Sequence, residues 1–147
     1  MVTAERIEKT ALKNLLHNED YTRKVLPFLK PEYFEDRSER ILFTEIQKFI
    51  DQYNKRPTRE TLEIDIGKRK DLNEEEYKRI VDLISTLNKE EIDLDWLTNT
   101  TEKFCKDRAV HNAVMDGIHI LDGKDKNKQP EAIPEILRDA LSVSFDR

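Results

Sequence analysis

Residues 93–121 read DLDWLTNTTEKFCKDRAVHNAVMDGIHIL, and no proline interrupts them. Apolar residues recur here at the three- and four-residue spacing of a helix, and the single glycine, Gly117, lies near the end. The pattern predicts one helix of about eight turns, roughly 40 Å long. A helix of that length is longer than a small helical domain is wide. We therefore expect it to extend beyond the compact part of the chain.

The sequence after this helix turns the chain back. A polar tip at residues 122–128 precedes Pro130 and Pro134, which stand at or near the first turn of a second helix. The apolar residues of that helix are Ile133, Ile136, Leu137, Ala140 and Leu141. Residues 92–147 are therefore predicted to form a long αα-hairpin. Val143 and Phe145 are apolar and no stop signal follows them, so we expect the last residues to begin a linker in a larger protein, with an ordinary frayed terminus as the alternative.

Two rows of residues lie side by side on the long helix. One row is apolar and consists of Val110, Val114, Ile118 and Leu121, and the other is small and consists of Ala109, Ala113 and Gly117. Two adjoining rows are wider than one partner helix covers, so we expect one row to be buried in the hairpin and the other to meet the rest of the chain or a second chain. The alternative is that both rows face this chain's own core.

Residues 1–91 predict a compact head of several shorter helices, which makes the fold class all-α. The predicted helices span residues 4–17 behind Thr3 as N-cap, residues 20–26, and residues 38–56, where Pro57 disfavours continuation. One helical turn follows Pro31, and we expect its aromatic residues Tyr33 and Phe34 to enter the core.

Two further helices are expected to complete the head. Leu62, Ile64 and Ile66 alternate with acidic residues as in a strand, yet Thr58 is a good N-cap, and we favour a helix that ends at Gly67. Asn73 and Glu76 have the spacing of a capping box, which predicts that a last helix of the head begins there.

Composition limits the classes of function. Charged residues make up 39% of the chain and only 3 residues are glycine, a balance typical of solvated helices. The net charge of -5 provides no overall basic field, so DNA contact is expected to be weak or absent. Without a signal peptide, a second cysteine or a long apolar run, we expect a cytoplasmic protein that does not enter a membrane.

The sequence contains no recognisable pattern of a catalytic, cofactor-binding or metal site. Cys105, His111 and His119 share one predicted helix, but their separations do not bring them to one metal ion or one reacting centre. The segment from Gly117 to Lys124 lacks the spacing and the hydroxyl residue of a phosphate-binding loop. The basic groups are Lys55-Arg56 with Arg59 and Lys68-Arg69-Lys70, and we expect each to stand at or near a helix C-terminus, where the dipole favours it. The residues alone indicate a helical interaction module.

Five blocks of sequence carry a family resemblance. They are Leu29-Lys30-Pro31-Glu32-Tyr33-Phe34, residues 41–46, Pro57-Thr58 before Leu62, residues 95–109 and residues 132–146, of which the last two are the specific ones. With them the chain resembles the N-terminal domain of DnaB-type replicative DNA helicases, most closely those of T-even-like tailed phages. The resemblance extends over nearly the whole chain.

The resemblance implies a collar domain whose hairpins pair between subunits above a hexameric ring. It implies self-association, primase as a docking partner, a helicase loader as a further candidate, and the cytoplasm of a bacterial host. ATP and Mg²⁺ would bind a motor domain that this chain lacks, so no cofactor and no enzyme activity are expected here. The residues expected at the interface between subunits are Ala109, Val110, Ala113, Val114, Gly117, Ile118, Leu121, Ile133, Leu137 and Leu141.

Other functions stay open at this stage. A helicase-binding domain of a primase has the same head and hairpin. A small helical DNA-binding or adaptor module is also compatible with the pattern, and a steep salt dependence of DNA affinity would favour it. An enzyme would require a site built around Cys105 or His111.

Overall fold

The structure is a computed structural model that describes residues 6–146. Every regular element in this part of the chain is helical, which confirms the all-α class. The α-helices are α1 (Ile7–His17), α2 (Glu19–Val25), α3 (Arg37–Tyr53), α4 (Arg59–Gly67), α5 (Glu74–Ser85), α6 (Leu94–Leu121) and α7 (Ile133–Leu141). Short 3₁₀ turns lie at Leu26–Phe28, Pro31–Tyr33 and Pro130–Ala132.

The chain divides into two compact units, Met1–Thr98 and Asn99–Arg147. The division between residues 91 and 92 that the sequence predicts stays a prediction. Thr3, the predicted N-cap of the first helix, lies outside the described residues. The described part of α1 begins after Arg6, whose backbone is extended.

The core of the first unit is built from α1 to α5 and the turn before α3. Phe34 is fully buried and its ring stacks on that of Phe43, with 5.0 Å between the ring centroids. Tyr33 is buried beside it, which confirms that the turn after Pro31 directs its aromatic residues inward. Leu12, Leu42, Ile46, Leu62, Ile80 and Ile84 complete much of this core.

The strand-like alternation in α4 is helical. Leu62 and Ile66, four residues apart, are both buried, whereas Ile64 between them is 59% exposed. This is the pattern of one buried helical face, and the predicted helix is confirmed. Thr58 caps it, since its side chain accepts a hydrogen bond from the backbone N–H of Thr61.

α3 ends earlier than predicted. It stops at Tyr53 rather than at Arg56, because Asn54 adopts the left-handed conformation with φ of 55° and its N–H donates to the carbonyl of Ile50. Asparagine tolerates this conformation and so can end a helix before a proline would. The capping box of α5 is confirmed, with Asn73 and Glu76 each accepting from the other's backbone N–H.

A buried carboxylate links α3 to the start of α1. Glu39 is 2% exposed and pairs with Arg6, and its other oxygen, Oε1, has no hydrogen-bond partner among residues 6–146. Burial raises the pKa of Glu39 above its usual value, and the attraction of Arg6 only partly offsets this rise. Asp36 and Glu8 add repulsion in the same direction.

This shift predicts a pH dependence of stability. The raised pKa means that Glu39 binds its proton more tightly in the folded protein than in the unfolded one. Protonation of Glu39 therefore adds to the free energy of unfolding, fully at pH values below the pKa of the unfolded state, and this stabilisation is lost as pH rises through the pKa of the folded state. Glu39→Gln lacks this titration. We therefore expect the free energy of unfolding of the wild type, relative to Glu39→Gln, to fall as pH rises from about 4 towards neutrality. Urea unfolding of both proteins across that range measures the difference, and a constant difference would contradict the prediction.

The second unit is an αα-hairpin. α6 ends in a Schellman motif, in which Gly123 has φ of +76° and the N–H groups of Gly123 and Lys124 donate to the carbonyls of Ile120 and His119. The chain then returns through the turn at Pro130–Ala132 into α7. At Gly117 the two helices face each other, and a Cβ built there would lie 3.5 Å from the Ile133 side chain, which is an ordinary van der Waals contact.

Candidate self-association surface

The row of small residues on α6 lies inside the hairpin. Ala109, Ala113 and Gly117 are buried, and Gly117 lies against Ile133 of α7. Residues four apart share a helix face, so Ala109 and Ala113 lie on the same side of α6 as Gly117. The absence of long side chains in this row allows the two helices to come close.

The apolar row lies beside it and faces outward. Val114 is 46% exposed, Ile118 43% and Leu121 68%, and together we call these three residues the α6 apolar face. Val110, the first residue of the predicted row, is half-buried. Adjacent residues on a helix are about 100° apart, so Val114 is turned well away from the buried Ala113. The hairpin therefore buries one row and exposes the other, as the two-row pattern predicts.

α7 contributes less to this surface. Ile133 and Leu137 are half-buried, while Leu141 near the end of the helix is 73% exposed. Met115 is 38% exposed and lies at the edge of the α6 apolar face, three residues before Ile118. Met115 is not among the interface residues that the sequence predicts, although its spacing from Ile118 could have indicated it.

Nine of the ten predicted interface residues fall into two groups, and the half-buried Val110 belongs to neither. The small residues and Ile133 are in the first group, in which Gly117 lies against Ile133, together with the half-buried Leu137. The exposed residues can meet another molecule and form the second group, which consists of Val114, Ile118, Leu121 and Leu141. That the exposed group contacts a second chain stays a prediction. A charge at Ala113, which is 4% exposed, would test the folding of the hairpin rather than its association.

The α6 apolar face is bounded by polar residues towards the start of the helix. Lys103 and Asp107 form an ion pair at 3.2 Å, and His111 is exposed. Four-residue spacing places Lys103 and Asp107 on the same side of α6 as Val114. The α6 apolar face therefore lies between these polar residues and the hairpin tip, and the exposed Trp96 near the start of α6 is separate from it.

The cysteine is an inert core residue. Cys105 is fully buried, and burial, reinforced by the charge of Glu102, raises the pKa of its thiol to about 12. Among residues 6–146 no group of His, Cys, Asp and Glu is arranged to hold a metal ion. The structure does not bring Cys105, His111 and His119 together as one site.

The rate of alkylation measures the reactivity of the Cys105 thiol directly. With a pKa of about 12, only about one thiol in ten thousand is ionised at pH 8, and the thiolate is the nucleophile. We expect iodoacetamide to leave Cys105 essentially unmodified in native buffer and to modify it fully in urea. Equal rates in the two conditions, measured by intact mass, would show that the thiol is accessible and reactive.

One arginine in each basic group has structural partners, whereas Arg59 is the first residue of α4 and so stands at a helix start, contrary to the expected helix C-terminus. Arg56 donates from Nη1 to the carbonyl of Leu16 at 3.1 Å. Arg69 binds Glu45 at 2.8 Å and Asp71 at 2.8 Å, and its hydrogen bonds lower the pKa of Asp71. These arginines tie elements of the first unit to one another. The clefts of that unit are open and have mixed acidic and basic linings.

Comparison with known proteins relates the chain to a family. The family model described as "DnaB-like helicase N terminal domain" matches residues 2–92. The DnaB-like replicative helicase of Enterobacteria phage T4 is 34% identical to the chain over 143 aligned residues. That alignment covers 92% of this chain and 30% of the phage protein, so the chain spans less than a third of this curated relative. None of the described helices combines the length and apolar character needed to cross a membrane.

Proposed function

Because this chain belongs to the DnaB-like helicase N-terminal domain family, we propose that it is the assembly and docking domain of a replicative DNA helicase. In this role the hairpin pairs subunits into a collar, and the collar docks primase. The observation that carries the proposal is the α6 apolar face, where Val114, Ile118 and Leu121 are exposed together on one rigid helix. The proposed interface also includes Leu141 at the end of α7.

A second copy of the chain is the partner that this surface fits best. Three large aliphatic side chains exposed on one face lose contact with water only when another molecule covers them. A two-fold pair covers the same face on both subunits at once, which is how most soluble homo-oligomers associate. The composition also favours a partner at this face. In a chain with 39% charged residues, an exposed apolar cluster is a local exception.

The motor functions are assigned to a part of the helicase outside this chain. We propose that ATP and Mg²⁺ bind a C-terminal motor domain, and that this chain supplies no catalytic, metal or cofactor site. The length of the phage T4 relative supports this assignment, because the chain aligns with only 30% of that protein. The proposed location is the cytoplasm of a bacterial host.

Primase is the proposed docking partner and a helicase loader a further one, while DNA contact is proposed to be weak or absent. The contacts of Arg56 and Arg69 within the first unit support weak DNA contact, since both guanidinium groups already bind protein partners. The family match favours the helicase over the helicase-binding domain of a primase. It also favours the helicase over an unrelated DNA-binding module.

Sedimentation velocity tests the docking role. We expect a mixture of this chain with primase from the same replication system to contain a complex that sediments faster than either component. A fluorescent oligonucleotide serves as the comparison ligand. Absence of the complex would remove primase docking from the proposal, and DNA binding that weakens steeply with salt would support a DNA-binding module instead.

A further inference from the structure

The segment after α7 lies against α6 and is held by one carboxylate. Oε2 of Glu102 accepts a hydrogen bond from the backbone N–H of Phe145 at 2.7 Å and one from the Ser144 hydroxyl at 3.4 Å. The N–H of Asp146 donates to the Ser144 hydroxyl at 3.1 Å, which closes a local turn. We call residues 143–146 the strap.

The surroundings favour this contact. Val143, Ser144 and Phe145 are half-buried, although α7 has already ended at Leu141 and no helix continues through them. The side chain of Glu102 is only 24% exposed, so water competes weakly for its oxygens. Hydrogen bonds to an ionised acceptor are about twice as strong as neutral ones. Lys106, one turn further along α6, lies 4.0 Å from the same oxygen.

We propose that Glu102 and the strap form a clasp that sets the length of the tether between the hairpin and the domain that follows it. With the clasp closed, the chain leaves the hairpin from a fixed point beside Glu102. With the clasp open, the residues of the strap add up to about 13 Å of reach, at about 3.3 Å for each extended residue. This inference rests on the proposed function, because tether length has a role only if a motor domain follows.

The strength of the contact suits a reversible device. A single charge-assisted hydrogen bond shifts an equilibrium by roughly ten- to a hundredfold, so the open form is a minor state that thermal motion reaches. The helices do not need to separate for the strap to open, since Gly117 and Ile133 pack together near the opposite end of the hairpin. Opening is therefore a local event at the end of the second unit.

Hydrogen exchange at the Phe145 amide, measured by NMR on this chain, tests the clasp. We expect Glu102→Ala to speed this exchange by about tenfold or more, because the acceptor is removed. Glu102→Gln keeps an oxygen but loses the charge, so an intermediate rate is expected. Glu135→Ala, at an exposed position on α7, is the matched control and should leave the rate unchanged.

A distance measurement tests the change in reach. Spin labels at His111→Cys and Asp146→Cys should report a longer and broader distance distribution when Glu102→Ala is added. The buried Cys105 is not expected to take up label. Circular dichroism establishes that each variant keeps its helices.

Two results would overturn the clasp. They are an unchanged exchange rate at Phe145 in Glu102→Ala and an unchanged distance distribution in the labelled protein. Self-association is a separate readout, because Glu102 lies outside the α6 apolar face and its substitution should not alter the solution mass. A strap that does not respond to Glu102→Ala in a protein that self-associates would contradict only this inference, whereas a clasp present in a strict monomer would contradict only the proposed function.

Discussion

Ile118→Glu is expected to keep the chain folded and to abolish its self-association. Ile118 is 43% exposed at the centre of the α6 apolar face, so the glutamate side chain stays hydrated in the single chain. Glutamate is also a good helix former. In a two-fold pair the same substitution places a charge without a partner in the interface on both subunits, which typically costs several kcal/mol. We expect the dissociation constant to rise by at least about a hundredfold.

The matched control for this variant is Lys126→Gln. Both substitutions make the net charge of the chain more negative by about one unit, and Lys126 lies in the exposed tip away from the α6 apolar face. Light scattering should therefore report normal association for Lys126→Gln and single chains for Ile118→Glu. Equal association of the two variants, with helical content retained, would place the interface elsewhere.

Phe34→Ala is expected to cause the largest loss of stability. Phe34 is fully buried and stacked on Phe43, so removing its ring leaves a cavity in the centre of the first unit. Truncation of a buried phenylalanine typically costs about 3–5 kcal/mol, a large part of the roughly 5–15 kcal/mol that separates folded from unfolded domains. Urea unfolding followed by circular dichroism measures the loss.

Ile64→Ala is the control for Phe34→Ala. Ile64 is 59% exposed on α4, so its truncation should change the free energy of unfolding by no more than about 0.5 kcal/mol. This variant also tests the helical assignment of the alternating segment, because a strand would bury Ile64 on the same face as Leu62 and Ile66. A loss for Ile64→Ala similar to that for Phe34→Ala would contradict the packing described above.

The helices of the first unit were predictable because local signals agree there. Thr58 and Asn73 begin their helices as caps, and each satisfies backbone N–H groups within the first turn. The end of α3 was not predictable from Pro57 alone, since Asn54 adopts the left-handed conformation before the proline is reached. A single residue with access to this conformation can override a stronger signal further along the chain.

The candidate surface could be predicted only in part. Helical spacing identifies two rows on α6, but it contains no information about which row α7 covers. That choice depends on the close approach of Gly117 to Ile133, a contact between residues on different helices. The hydrogen bond between Glu102 and Phe145 was not predictable for the same reason. It joins residues far apart in sequence, and no sequence motif indicates it.

Solution mass across a concentration series shows whether this chain assembles with copies of itself through the hairpin. A single chain has a mass of 17.5 kDa. We predict that light scattering reports a mass that rises with concentration towards that of a dimer or a larger assembly, and that Ile118→Glu stays at the mass of one chain. A wild-type mass of one chain throughout the series would show that the hairpin does not pair copies of this chain.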